Sequence, residues 1–232
     1  MDDKIKRDHL NELFKIINNH LLYDDVPSIF LSQLCSQPEF EIYPFDMLLK
    51  LRSTNQSPIH HPEGNVWNHT LLVVDEAAKR KKGSKDPDAF MWAALLHDIG
   101  KPPTTRIRNG KITSYDHDKV GAGLAKDFLS VFKDNMQFAD NMQFIENVCS
   151  LIKYHMQILF VINDLPFASI YEIKQNTDIK ELALLGLCDR LGRTGSNQTI
   201  EKDNMQLFIQ KCNDFRKERT LHGKSRNEKT RP

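Results

Sequence analysis

Ala93 to Pro102 reads "AALLHDIGKP". An apolar run, Ala93–Leu96, ends in His97 and Asp98 side by side, and Gly100, Pro102 and Pro103 break the pattern just beyond. Upstream, "DPDAFMW" carries the apolar run back to Asp86, which is suited to capping a helix whose first residue is Pro87. A histidine and an acid therefore stand at the buried end of an apolar helix. A buried carboxylate costs several kcal/mol unless it is paired or holds a cation.

Outward from this helix, the pattern is helical almost everywhere. "IKRDHLNELFKIINNHLL" sets Ile5, Leu13, Ile16, Ile17 and Leu21 on one face at helical spacing. "PSIFLSQLCSQ" starts on Pro27, a good first helical residue. Further helical runs are "VWNHTLLVVDEAAKRK", "YDHDKVGAGLAKDFLSVF", "ADNMQFIENVCSLIKYHM", "DIKELALLGLCDRLGR" and "IEKDNMQLFIQKCNDFRKER". One stretch departs from this. In "TTRIRNGKITSY", Asn109-Gly110 is a strong hairpin turn between Arg106–Arg108 and Lys111–Thr113. The expected fold class is all-α, a helical bundle with one short, exposed β-hairpin. Residues 1–55 read as a helical extension packed on the core, residues 56–220 as the main domain, and residues 221–232 as a disordered basic tail.

The chain has 232 residues, 40% hydrophobic and 27% charged, with a formal net charge of +1. That is ordinary for a globular protein, and no global field selects nucleic acid or membrane. An anionic partner must be held by a local cluster. No apolar run approaches the roughly 18 residues of a membrane span, and "MDDKIKRDHL" lacks the apolar centre of a secretory signal. Cys35, Cys149, Cys188 and Cys212 form no C-x-x-C pair and read as reduced core thiols, so the expected location is cytoplasmic.

His69, His97, His117 and His155 share a property. His69 shares a helix face with Val66, Leu72, Val73 and Ala77, and His117 with Val120, Leu124 and Phe128. His155 aligns with Phe144, Val148 and Leu151, while Asp189 follows Leu182 and Leu185. Any one such histidine is more often a hydrogen-bonded core residue than a ligand. The acids are harder to dismiss. Asp98 and Asp189 each demand a partner, and we expect neither to have a Lys or Arg one turn away on its inward face. A shared divalent cation satisfies both acids and all four histidines.

"H…HD…D", here His69, His97-Asp98 and Asp189, resembles the HD superfamily of metal-dependent phosphohydrolases. "HPEGNVWNHTLLVVDEAA", "ALLHDIGKP", "SYDHDKVGAGLA", "YHM" and "CDRLGRTG" are similar to successive blocks of the HD domain in CCA-adding tRNA nucleotidyltransferases. They run in order from about His61 to Gly195, over more than half the chain. The Gly-Gly…Arg-Asp and paired-Asp motifs of that family's nucleotidyltransferase head are not found, and residues 1–50 are too few and too helical to hold it. The resemblance is thus to the hydrolytic module. Similar modules occur fused to a polynucleotide kinase that processes RNA 3′ ends, but no G-x-x-x-x-G-K-[ST] phosphate loop is present.

The resemblance implies His69, His97, Asp98 and Asp189 as the basic metal-binding set, with His117 and His155 as the further histidines of binuclear members. Six ligands suit two divalent transition-metal ions (Mn, Fe, Co, Ni or Zn) about 3.5–4 Å apart, with Asp98 between them. Such ions lower the pKa of water, hold phosphoryl oxygens and stabilise the leaving charge. The implied catalytic residues are Asp98 and Lys101. Lys101, Arg193, Arg106 and His61 are the candidates for substrate binding, with Arg108 beside Arg106 on the ribbon. For Lys101 the alternative is a solvated helix end. For Arg106 and Arg108 it is solubility, which is slightly favoured, and for His61 it is a loop anchored by Pro62. The implied substrate is a nucleotide or an RNA 3′ end, attacked as a 2′,3′-cyclic phosphodiester or a 2′-phosphate. The rivals are a nucleotidase or dinucleoside polyphosphate hydrolase, and a non-catalytic metal-stabilised RNA-binding module. No membrane partner and no obligate protein partner is evident.

Overall fold

The structure is a computed structural model describing residues 3–136 and 138–227, with side chains for residues 7–136 and 138–215. In chain order it runs α1 (Asp3–Tyr23), α2 (Ser28–Leu34), α3 (Asp46–Leu49), α4 (Val66–Ala78), α5 (Pro87–Leu96) and α6 (Lys101–Thr104). The hairpin β1 (Thr105–Arg108) and β2 (Lys111–Ser114) follows. Then come α7 (His117–Ser130), α8 (Asn141–Tyr154), α9 (Gln157–Ile162), α10 (Ile170–Asn176), α11 (Ile179–Leu191) and α12 (Gln198–Asn227). The fold is all-helical with one two-stranded ribbon, as the sequence pattern implies.

α5 is the axis of the molecule. Ala89 to Leu96 are all buried, and a helix apolar on every side belongs in a core. Asp86 caps it by accepting from the Ala89 N–H at 3.1 Å, with Pro87 in the first turn. α4, α8 and α11 pack around α5. From the N-terminal side, α1 adds Leu10, Leu13, Phe14, Ile17 and Leu21. The Phe14 ring stacks on both Trp92 and Phe132, with centroids 4.6 Å apart in each case. The Trp92 indole N–H donates to Asn18 Oδ1 at 2.8 Å, satisfying a polar atom that burial would otherwise strand.

The hairpin pairs Thr105 with Ser114, Arg106 with Thr113, Ile107 with Ile112 and Arg108 with Lys111. Asn109 and Gly110 both have positive φ, 50° and 72°, as a two-residue turn of this hand requires. The strands are each one residue longer than the sequence pattern indicates.

Some positions differ from expectation. Ile16, Leu72 and Val120 are exposed. Pro27 caps α2 from outside it. α9 and α10 are short helices that periodicity did not reveal. The backbone of α12 extends through residues 221–227, part of the expected tail, while residues 228–232 lie outside the described residues.

Candidate metal centre

Three histidines are held by the same local device. His97 follows the last residue of α5, His155 follows α8, and His117 opens α7. Each points its Nδ1 at the backbone carbonyl three residues upstream. His97 meets Ala94 O at 2.9 Å, His117 meets Ser114 O at 2.7 Å and His155 meets Ile152 O at 2.7 Å. A carbonyl only accepts, so the ring proton sits on Nδ1 and Nε2 carries the lone pair. All three Nε2 atoms turn inward. His97 Nε2 lies 3.3 Å from Asp98 Oδ2, His117 Nε2 3.4 Å from Asp98 Oδ1, and His117 and His155 oppose their Nε2 atoms at 3.2 Å. α5 and α8 also bring their C-terminal ends here, where the helix dipole favours a cation.

His69 reaches the same place from α4. The α4 N-terminus is fixed by Asn65, whose side chain accepts from the Asn68 N–H at 2.9 Å. His69 Nε2 lies 3.1 Å from Asp189 Oδ1 on α11 and 4.0 Å from Asp98 Oδ2. Its Nδ1 lies 2.9 Å from Glu63 Oε1, and His61 Nδ1 lies 2.8 Å from the same oxygen. Glu63 thus pairs with the His61 ring and faces His69 Nδ1 at ion-pair distance without completing a hydrogen bond to it, a neighbour that sequence reasoning missed. Its one signal was being the lone acid in the "HHPEGN" loop. His61 is buried and meets His69 edge-on, with ring centroids 4.7 Å apart.

The acids do have cations one turn away, contrary to expectation. Lys101 Nζ lies 2.7 Å from Asp98 Oδ2, and Arg193 Nη2 lies 3.3 Å from Asp189 Oδ1. Lys101 is buried and also donates to Gln56 Oε1 at 2.5 Å, so it is not a solvated helix end. Arg190 turns away and forks onto Glu201 with two contacts of 3.1 Å. Arg106 and Arg108 are exposed on the ribbon. Arg106 bonds back to Thr105 O, and Arg108 to Thr113 Oγ1.

The electrostatics follow from these contacts. Burial alone would raise the Asp98 carboxyl, but His97 and Lys101 outweigh it and hold it well below the usual range. Burial opposes ionisation of Asp189 too, and Arg193 and His69 win there. Burial opposes ionisation of Glu63, but the facing His69 ring, its own backbone and the hydrogen-bonded His61 overcome it and bring the carboxyl down to about 2. Burial disfavours charge on His97, and the adjacent Asp98 raises it nevertheless. Burial pushes His155 down to about 3, reinforced by His117 and His97, and lowers His117 as well.

These residues fit metal. His117 and His155 oppose two ring nitrogens in a place where burial disfavours protonation, an arrangement suited to holding a metal cation. His97 Nε2 is buried without a hydrogen-bond partner. A metal-ligating histidine normally donates its other ring N–H to a carbonyl or carboxylate, and His97, His117 and His155 are arranged to do so, while His69 turns its Nδ1 toward the Glu63 carboxylate at 2.9 Å. Ligand atoms of His69, His97 and Asp98, and of Asp98, His117 and His155, lie within 4.8 Å of one another. Asp98 belongs to both trios.

The sequence profile of the HD domain family matches residues 66–193. That span is more than half of the chain, and the chain belongs to the HD domain family, a family of metal-dependent phosphohydrolases that bind divalent metals. It is similar to the Multifunctional CCA protein of Actinobacillus pleuropneumoniae serotype 5b (strain L20), 42% identical over 98 residues, which is 41% of this chain and 23% of that protein. It is also similar to the Multifunctional CCA proteins of Aromatoleum aromaticum, 44% over 55 residues (24% of this chain, 12% of that protein), and Halorhodospira halophila, 46% over 52 residues (21% and 11%). The chain spans less than a quarter of the length of these relatives. No helix among the described residues is long and apolar enough to cross a membrane.

Proposed function

We propose that this chain hydrolyses phosphoesters of nucleotides or RNA ends, as a 2′,3′-cyclic phosphodiesterase and 2′-phosphatase. In this reading His69, His97, Asp98, His117, His155 and Asp189 hold two divalent transition-metal ions, with Asp98 serving both. The observation that carries the reading is the opposed Nε2 pair of His117 and His155 at 3.2 Å, each with its other nitrogen committed to a carbonyl. The bound ions supply Lewis acidity and activate the attacking water.

The protein's own groups prepare that chemistry. The carbonyls of Ala94, Ser114 and Ile152 fix the tautomer and direction of His97, His117 and His155, and the Glu63 carboxylate places its charge beside His69 Nδ1. Lys101 places a buried positive charge against Asp98. Its ammonium has three donors, of which the hydrogen bond to Gln56 uses one, so donors remain for a phosphoryl oxygen. Arg193 braces Asp189 and presents the rest of its guanidinium at the same rim. Residues 56–220 form the hydrolytic domain, and residues 1–55 a helical extension packed on it.

The series of blocks shared with the HD domain of CCA-adding enzymes favours a terminal RNA phosphate over a free nucleotide. The test is a panel of phosphoesters with each metal restored to the stripped protein. We expect 2′,3′-cyclic AMP to be hydrolysed in preference to 5′-AMP and to a dinucleoside polyphosphate. Preference for either of the latter two would replace the reading with a nucleotidase or a polyphosphate hydrolase. Full metal content with no turnover on any ester would indicate a binding module.

A further inference from the structure

The ribbon formed by β1 and β2 gathers cations on one face. Cross-strand partners in an antiparallel pair share a face, so Arg106, Arg108, Lys111 and Thr113 lie together. Tyr115 joins them, 65% exposed, with the Arg108 guanidinium 4.6 Å from its ring centroid. Residues 105–115 contain three cations and no acid, on a chain whose formal net charge is only +1. The nearest acid in sequence, Asp116, is taken by Lys119 at 2.7 Å.

Arg108 and Lys111 are directly paired in the register. Like charges at such a position destabilise a sheet. A free two-stranded ribbon is marginal to begin with, so this pair works against the fold unless an anion is shared between its members. The ribbon is also rooted in the metal centre. β1 begins just after Lys101, whose carbonyl accepts from the Thr105 hydroxyl at 2.8 Å. β2 ends at Ser114, whose carbonyl orients His117. From that base the strands extend about 10 Å outward.

We propose that this face is an arm for single-stranded RNA. Arg106, Arg108 and Lys111 take backbone phosphates and Tyr115 stacks a base, while the RNA end lies at the metal centre. The inference rests on the RNA-end reading given above. Phosphates satisfy the opposed cations, and an exposed aromatic beside an arginine is a stacking platform for an unpaired base.

The test is a titration of the full-length protein with a short labelled single-stranded RNA, read by anisotropy across a salt series. Lys111→Glu is the decisive variant because it turns the repulsive Arg108–Lys111 pair into an attractive one. Its unfolding temperature should stay level or rise, while RNA affinity falls roughly five- to tenfold and the salt slope flattens. Tyr115→Ala should weaken binding about tenfold at unchanged slope. RNA binding equal to wild type in Lys111→Glu overturns the arm. So does lost binding with a lowered unfolding temperature, which makes Lys111 a fold residue, or a wild type that binds anionic lipid vesicles and not RNA. Binding does not depend on turnover, so the two readings fail separately. RNA bound through the ribbon without hydrolysis of 2′,3′-cyclic AMP sinks the hydrolytic reading and keeps the arm. Hydrolysis with unaltered RNA binding in Lys111→Glu does the reverse.

Discussion

Gly100→Ala tests how the site is assembled. Gly100 has φ −81° and ψ −11°, which any residue adopts, so its backbone conformation does not require glycine. The neighbouring backbone does. A Cβ there would lie 2.0 Å from the His117 carbonyl oxygen, 2.6 Å from Gly121 N and 2.9 Å from Gly121 Cα. The first contact falls roughly 1.4 Å short of ordinary contact, which begins at 3.4 Å, and its partner is backbone that cannot rotate away. The start of α7 must retreat, taking His117 with it. Metal sites tolerate about 0.2 Å in ligand distance, so the trio of Asp98, His117 and His155 should fail, while His69, His97 and Asp98 keep theirs. Overpacking of this kind costs about 1–3 kcal/mol, or about 2–12 °C in unfolding temperature for a chain of this size. Metal analysis after dialysis at limiting metal, with thermal unfolding of the stripped protein, reads both effects. The expected result is one metal equivalent lost and a lowered transition. Gly123→Ala is the control, since Gly123 lies on the same helix with nothing within 4 Å of an added Cβ. It should be neutral or stabilising by about 0.5–1 kcal/mol. A Gly100→Ala protein with full metal and an unshifted transition would refute the reasoning.

Asp98→Asn should abolish hydrolysis and remove most bound metal, because it takes the shared charge from both trios; full turnover in this variant would sink the mechanism. Lys101→Met should retain metal and lower turnover on 2′,3′-cyclic AMP by something like 10²–10³-fold, as for a lost oxyanion donor. Metal lost from that variant would assign Lys101 to holding Asp98 in place. Glu63→Gln should weaken metal affinity by about 10–100-fold in equilibrium dialysis, the usual cost of a lost orienting partner. Metal removal should lower the unfolding temperature, since a ligand at a hundred times its Kd stabilises by about 2.7 kcal/mol; equal transitions with and without chelator would contradict a site built on four buried histidines.

The fold was legible where composition alone decides it. α5 needs no register because all its faces are buried, and Asn109-Gly110 specifies its own turn. The errors at Leu72 and Val120 have one cause. Each lies three residues after a site histidine, trailing it by about 60° around the helix. The buried faces run the other way, through Val73 and Ala77 after His69 and through Gly121 and Ala125 after His117. A histidine facing a pocket sits at the edge of its apolar sector, so the side on which that sector continues is set by neighbouring helices. α9 and α10 were missed because helices this short carry too few turns for a period to show.

The site was legible in part for a related reason. Lys101 and Arg193 stand at ordinary helical spacing from Asp98 and Asp189, so their pairing could have been foreseen. Glu63 could not, because a loop has no period and its contact with His69 exists only once "HPEGN" folds back onto α4. This pairing shifts the weight of the metal argument. Asp98 and Asp189 each have a cation beside them, and such a cluster could persist as an ion-pair network without metal. The histidines cannot be explained that way. Three of them commit Nδ1 to a backbone carbonyl and turn Nε2 inward, and the Nε2 atoms of His117 and His155 meet at 3.2 Å. Lys101 and Arg193 are donors facing oxygen acceptors and cannot satisfy a ring lone pair that faces another, and burial disfavours a proton on His155. A shared proton would relieve the His117–His155 pair alone, whereas a cation that accepts several lone pairs serves all three rings at once. The direction of the imidazole nitrogens, more than the acids of "LLHDIGK" and its surroundings, is what suits this pocket to metal.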